Sequence, residues 1–250
     1  MDRKLIKYVF LTIVVIVLSG LFITTSLAID LPWEKEKKEE PRQELPPPPK
    51  IPDDTPKPSS LENPKKYFDE GVAYEKDKKY NEAISSYTRA IELNRNYAEA
   101  YVNRGNSKRV IGDYTGALDD YNKAVELNPK YTLAYYRRGY LKQTFLKDFQ
   151  GALADYNKAI EINPKYNIYT QRGYLKQEFL KDVQGAFRDY NRAIEINPKD
   201  TPAYNNRGYI KYQYGDYEGA IQDYEKALEC DPNYELAKKN LEIVKKKLKR

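Results

Sequence analysis

Residues Ala154–Lys165 read ADYNKAIEINPK, and residues Arg188–Lys199 read RDYNRAIEINPK, nearly the same twelve residues 34 positions on. The same pattern recurs as DDYNKAVELNPK from Asp119 and QDYEKALECDPN from Gln222, with a more divergent copy, SSYTRAIELNRN, from Ser85. Successive offsets are 34, 35, 34 and 34. A fixed period in this range is the signature of stacked units that bury a continuous core only against their neighbours.

Each copy has the period of a helix. In DYNKAIEINP, Tyr156, Ala159, Ile160 and Asn163 fall at i, i+3, i+4 and i+7, one face of a 3.6-residue repeat. Pro164 ends that helix, because it lacks an N–H and disfavours helical geometry in the residue before it. A second helical segment precedes each copy and carries a glycine at the same spacing: Gly71, Gly105, Gly139, Gly173 and Gly208. A Gly-Asp-Tyr turn separates the two segments at Gly112 and again at Gly215, where glycine enters the left-handed region without a Cβ clash. The unit is helix, turn, helix.

These residues resemble the tetratricopeptide repeat, a 34-residue unit with small or aromatic residues at set places and a terminal proline. The matching residues are Gly105, Ala117, Tyr121, Ala124 and Pro129 in the second repeat, and Gly208, Ala220, Tyr224, Ala227 and Pro232 in the fifth. The resemblance implies an all-α, right-handed solenoid of five helix-turn-helix repeats, in which small residues let helices approach and the tyrosine fills the space between them. The repeats are expected at residues 64–97, 98–131, 132–166, 167–200 and 201–234, with a basic capping helix over 235–250.

Repeats 3 and 4 depart from the pattern. Each has one extra residue between glycine and alanine (Gly139 to Ala152, Gly173 to Ala186), Leu-Lys-Asp stands in place of the Gly-Asp turn, and the path from Pro164 to Gly173 is one residue short. The stack is expected to be irregular at their junction. The two repeats agree at 23 of 28 positions from Arg138 and Arg172 onward, as a duplication would leave them. Repeat 1 has Arg95 in place of the terminal proline, as suits the end of a stack.

Composition excludes several classes of function. The 250 residues include no His, one Cys and one Met, so neither a disulfide framework nor a zinc site can form within the chain. Cys230 stands where other repeats have Leu127, Ile162 or Ile196, and reads as a small buried apolar residue. No nucleophile–base pair, phosphate-cradling loop or dinucleotide fingerprint is present, so no catalytic residue and no cofactor is expected. The net charge is +6, and +5 of it sits in the last sixteen residues; the repeats are too balanced for a nucleic-acid track.

The amino-terminal region is of another kind. Tyr8–Ile29 carries no charge over 22 residues, about 33 Å of helix and enough to cross a bilayer. Its length favours an uncleaved anchor over a signal peptide cleaved after Ser26-Leu27-Ala28. Arg3, Lys4 and Lys7 before the span favour a cytoplasmic amino terminus and extracytoplasmic repeats. The cleaved alternative makes the protein periplasmic or secreted. Residues 30–63 are rich in Pro, Lys and Glu and read as a disordered stalk, with polyproline II at Pro46–Pro49. In the terminal helix, Leu236, Leu241, Ile243, Val244 and Leu248 are read as the side laid on repeat 5; a basic helix of this kind also suits anionic lipid.

Two columns bear on structure and function. Arg104, Arg138, Arg172 and Arg207 precede the glycines, and Asp120, Asp155, Asp189 and Asp223 precede the second-helix tyrosines of the same four repeats. Repeat 1 lacks both members, with Glu70 and Ser86, so each Arg is expected to pair with an Asp of its own or an adjoining repeat. The alternative is a row of free guanidinium groups gripping an acidic peptide. The resemblance also implies a concave groove lined by first helices, which takes a protein or peptide. Carried over, its residues are Asn106, Tyr140, Tyr174 and Tyr209 after the glycines, Tyr136 and Asn205 before them, and Arg109, Gln143, Gln177 and Tyr212 further along. Tyrosine and amide make an adaptable binding surface. The Lys pattern by which some members clamp a carboxyl terminus is absent, with Phe68, Val72 and Val102 in place. Three functions follow: a membrane-tethered interaction scaffold, a self-associating structural protein at the membrane, or a soluble binding protein released by signal cleavage.

Overall fold

The computed structural model describes residues 62–249. Among them every regular element is helical, and eleven α-helices follow one another. They are α1 (Pro64–Lys76), α2 (Tyr80–Leu93), α3 (Ala98–Val110), α4 (Tyr114–Leu127), α5 (Thr132–Leu141), α6 (Phe149–Ile162), α7 (Tyr169–Glu178), α8 (Val183–Ile196), α9 (Thr201–Gln213), α10 (Tyr217–Cys230) and α11 (Glu235–Leu248). Odd and even helices pack as hairpins, and each hairpin packs on the next. The span Tyr8–Ile29 and the proline-rich segment as far as residue 61 lie outside the described residues. No helix among the described residues is long and apolar enough to cross a membrane.

Local chemistry starts and stops these helices. Asp113, Asp148, Asp182 and Asp216 cap α4, α6, α8 and α10, each accepting at 2.8–2.9 Å from the backbone N–H of a glycine three residues on. Such a cap satisfies a donor that the helix itself leaves open. The hairpin turns pass through the left-handed region at Gly112 (φ 89°) and Gly215 (φ 82°). In the other three repeats a lysine adopts it: Lys78, Lys147 and Lys181, at φ 57–59°. The turn geometry is therefore kept where the glycine is lost.

The extra residue of repeat 3 is absorbed in a π-turn at Lys142–Leu146, which extends α5. In repeat 4 the Leu180 N–H reaches back to the Leu175 carbonyl at 3.2 Å, the same five-residue spacing. Widening the last turn restores the register of the following helix, and so the alanine and tyrosine of α6 and α8 still face inward. The shortened connection has a separate consequence. Helix α7 begins only at Tyr169, five residues after Pro164, whereas α5 and α9 begin three residues after Pro129 and Pro198. Of the successive helices, α6 and α7 touch least.

The core is a column of tyrosines. Tyr87, Tyr121, Tyr156, Tyr190 and Tyr224 are fully buried, between alanines that are equally buried, such as Ala117 and Ala124 around Tyr121. Each ring lies under the helix-one glycine of its own repeat. A Cβ on Gly105 would lie 2.8 Å from a carbon of the Tyr121 ring and 3.2 Å from the Ala117 carbonyl. Helix α11 closes the stack with Ala237 and Val244 buried and Leu241 against them. Leu236, Ile243 and Leu248, assigned from sequence to that same side, are instead about half exposed. Leu236 and Ile243 fall on another face of the helix, whereas Leu248 shares the buried face one turn beyond Val244, at the end of the helix. Cys230 is half-buried, not fully buried, with its thiol 3.8 Å from the Pro198 carbonyl.

The arginine column lies between helices. Arg104, Arg138, Arg172 and Arg207 each hold the Asp of their own repeat side-on, Nε at 2.9–3.0 Å to one oxygen and Nη2 at 2.5–2.6 Å to the other. A lysine one turn on, Lys108, Lys142, Lys176 or Lys211, approaches the same carboxylate to 2.8–2.9 Å. The third nitrogen, Nη1, reaches back to the preceding repeat, to Thr88, Asn122, Asn157 or Asn191 at 2.8–3.1 Å. Each guanidinium also lies 5.4–5.5 Å from a tyrosine ring of its own helix. With only 4–5% of each Asp side chain exposed, these are buried, fully bonded charges that tie consecutive repeats together.

Two stability measurements check this packing. Gly105→Ala gains about 1 kcal/mol of helix propensity but overpacks the Tyr121 ring, which typically costs about 1–3 kcal/mol. A lower urea midpoint is expected; a higher one would mean that the ring moves aside freely. Asp155→Ala strands Arg138 and Lys142 in a buried site and is expected to cost about 3 kcal/mol or more. Glu225→Ala, which breaks the surface pair with Lys245, is expected to stay within about 0.5 kcal/mol.

Candidate partner-binding face

First helices of successive repeats touch one another, α1 with α3, α3 with α5, α7 with α9 and α9 with α11. The side chains assigned from sequence to a binding groove lie on these helices, and the structure divides them into two groups. Tyr174 and Tyr209 are exposed, at 44% and 37%, and Tyr140 is half-buried in the same column. The Tyr140 ring meets Phe145 edge-on at 6.3 Å, and Tyr174 meets Phe179 in the same way at 5.9 Å. Tyr136 packs 6.2 Å from both Tyr156 and Tyr166, and Tyr212 lies 5.7 Å from Tyr217. Tyr136, Tyr140, Tyr174 and Tyr212 are thus each backed by another ring.

The amides turn inward, Gln143, Gln177 and Asn205 buried and Asn106 half-buried. Gln143 is buried and accepts from the Tyr156 hydroxyl at 2.8 Å; Gln177 accepts from Tyr190 at 3.0 Å. Asn106 accepts from Tyr121 at 2.8 Å. Asn205 is buried and bonded to Asn206 and to Asn240 of α11. The expectation that these four amides are open to a partner is corrected: Asn106, Gln143 and Gln177 each supply the acceptor that a buried phenol needs, and Asn205 is taken up by Asn206 and by Asn240 of α11. Glu75 plays the part in repeat 1, accepting from Tyr87 at 2.9 Å and from Ser107 at 2.6 Å.

Arg109 is half-buried over the rings of Tyr140 and Phe145, at 5.8 and 5.9 Å. Arg137, which the sequence analysis did not single out, lies 5.6 Å from the Tyr136 ring. The Nε of each is buried without an acceptor. Both charges reach the same phenols. Burial pushes the hydroxyls of Tyr87, Tyr156, Tyr190 and Tyr224 well above the ordinary phenol range. Burial also raises Tyr121, up to about 12, with Arg109 and Arg137 opposing the shift. Tyr136 is raised by burial too, against the same two arginines.

Comparison with known proteins follows the same outline. Tetratricopeptide repeat models match residues 98–131 and 201–234, and a further one residues 133–166; a TPR repeat model matches residues 71–108. Among solved structures, a crystal structure of MamA superposes with a TM-score of 0.59 at 24% identity, covering 68% of this chain and 92% of that one. MamA 41-end from Desulfovibrio magneticus RS-1 gives 0.60 at 18% identity, over 68% and 96% of the two chains. YrrB, described as a TPR protein with an unusual peptide-binding site, gives 0.55 at 24% identity, over 68% and 88%. At these identities the likeness is one of fold. No curated protein matches the chain. The family models together span just over half of the 250 residues, and the chain belongs to the tetratricopeptide repeat family.

Proposed function

We propose that this chain is a protein-interaction scaffold whose first-helix face takes a protein or peptide partner, held at a membrane by Tyr8–Ile29. The observation that carries the reading is the column Tyr140, Tyr174 and Tyr209, three rings at one register of successive repeats, two of them exposed. Large aromatic rings on a rigid backing give contact area at small entropic cost, and the hydroxyl adds a donor. The fold shared with YrrB, a protein with a peptide-binding site, agrees with this use of the architecture. The uncharged stretch Tyr8–Ile29 supports the tether, and the proline-rich segment after it suits a spacer. The charges at Arg3, Lys4 and Lys7 favour repeats on the extracytoplasmic side.

Affinity capture from membrane extracts tests the face. The full-length chain is expected to retain specific proteins that a Tyr140→Ala, Tyr174→Ala, Tyr209→Ala triple variant of equal helicity loses. Retention by both places binding elsewhere. Recovery of the chain alone favours self-association, for which the exposed Leu236 and Ile243, on one face of α11, offer an apolar surface. The tether has its own measurement: amino-terminal sequencing of the protein extracted from membranes is expected to begin at or next to Met1. A start just after Ala28 would show cleavage and make the protein soluble.

A further inference from the structure

By register, two columns of side chains flank the core tyrosine hydroxyl of each of the first four repeats. One is the residue four after the helix-one glycine of the same repeat; the other is two before the glycine of the next. Around Tyr87 these are Glu75 and Asn103, around Tyr156 Gln143 and Gln171, and around Tyr190 Gln177 and Asn206. Each pair offers acceptors, and Glu75, Gln143 and Gln177 are seen accepting. Around Tyr121 both positions are arginine, Arg109 and Arg137. A guanidinium has no acceptor. The Tyr121 hydroxyl turns instead to Asn106.

This junction of repeats 2 and 3 therefore holds two cations where its counterparts hold neutral or acidic groups. The four arginines before the glycines each face an aspartate, and Arg89 faces Glu62 and Glu92. Arg109 and Arg137 have no carboxylate within 4 Å among the described residues. Both are half-buried against aromatic rings, and their Nε atoms are shut off from water and from any acceptor. Half-buried charge left without a counter-ion is unfavourable, and an anion brought from outside relieves it. With Nε covered, the outer Nη nitrogens are left to donate.

We propose that Arg109 and Arg137 form a subsite for a carboxylate on an acidic side chain, Asp or Glu, of the partner. The Tyr136 and Tyr140 rings flank it and receive the carbon chain of that residue. This rests on the first-helix face being the partner-binding face. A planar fork matches a carboxylate in shape, as the arginine–aspartate pairs of this same chain show.

The test uses the full-length chain and three fluorescent peptides. These are hexaglutamate and hexaglutamine, each acetylated and amidated at its ends, and acetylated hexaalanine with a free carboxyl terminus. Anisotropy is expected to show hexaglutamate bound, more weakly as salt rises. Arg109→Gln and Arg137→Gln are each expected to weaken it by about tenfold or more, the loss of a charge-assisted contact. Lys238→Gln and Arg188→Gln are expected to leave it unchanged. Should either arginine variant fold poorly, nitrogen-15 spectra of the wild-type arginine side chains give the answer without substitution. Hexaglutamate is expected to move the Arg109 and Arg137 signals and to leave Arg138, held by Asp155, in place. The proposal fails if hexaglutamine binds as well, if only the lysine variant weakens binding, or if the Arg109 and Arg137 signals stay still. Tighter binding of hexaalanine overturns the assignment to a side chain. The two readings separate through the captured partner: loss by the tyrosine variant with retention by Arg137→Gln sinks the carboxylate subsite alone.

Discussion

The close approach of a tyrosine ring to a glycine, repeated five times, governs the rest of this structure. Where Gly105 faces Tyr121, even a methyl group would come within 3 Å of the ring. That contact sets how near the two helices of a hairpin lie and leaves the tyrosine wholly inside. A phenol so placed brings its own demand, because a buried hydroxyl without a partner is unfavourable by about 1–3 kcal/mol. For Tyr87, Tyr121, Tyr156 and Tyr190 the demand is met by a side chain of the first helix or its π-turn extension, and so the core chooses the identity of residues that would otherwise belong to the surface.

A second constraint acts between repeats. Each arginine before a glycine binds the aspartate of its own repeat through two nitrogens and the preceding repeat through the third. Buried ion pairs of this kind add little net stability over apolar packing, but they penalise any other arrangement heavily, because a misplaced repeat leaves a charge unpaired. They act as register marks along a stack whose apolar contacts are alike from one repeat to the next. Repeats 3 and 4 show how much irregularity such marks tolerate. An inserted residue is taken up by a π-turn before the second helix, and the tyrosine, the alanines and the ion pair all keep their places.

Much of this was legible beforehand. The period, the two helices per unit and the breaks at proline follow from spacing, which a helix must obey whatever surrounds it. The arginine and aspartate columns were legible because both are missing from the same repeat, Glu70 and Ser86 standing in their places. The lysine that shares each aspartate was not singled out, since an exposed-looking lysine on a charged helix carries no local signal. Gln143, Gln177, Asn106 and Asn205 read as open amides for the same reason: polarity marks a residue as suited to water, and the partner that draws it inward comes from another helix. Tyr8–Ile29 stays a reading of the sequence.

What the sequence determined by itself is the unit: its length, its two helices, its tight turn, and the small and aromatic residues that must meet within it. These depend on contacts between residues close in the chain, whose geometry the helical period dictates. Tertiary structure alone decided which polar groups are spent inside and which are left over. Arg109 and Arg137 lie 28 positions apart and are unremarkable as letters. They act on the same two phenols because stacking brings consecutive first helices side by side, and charge is balanced in space, not along the chain.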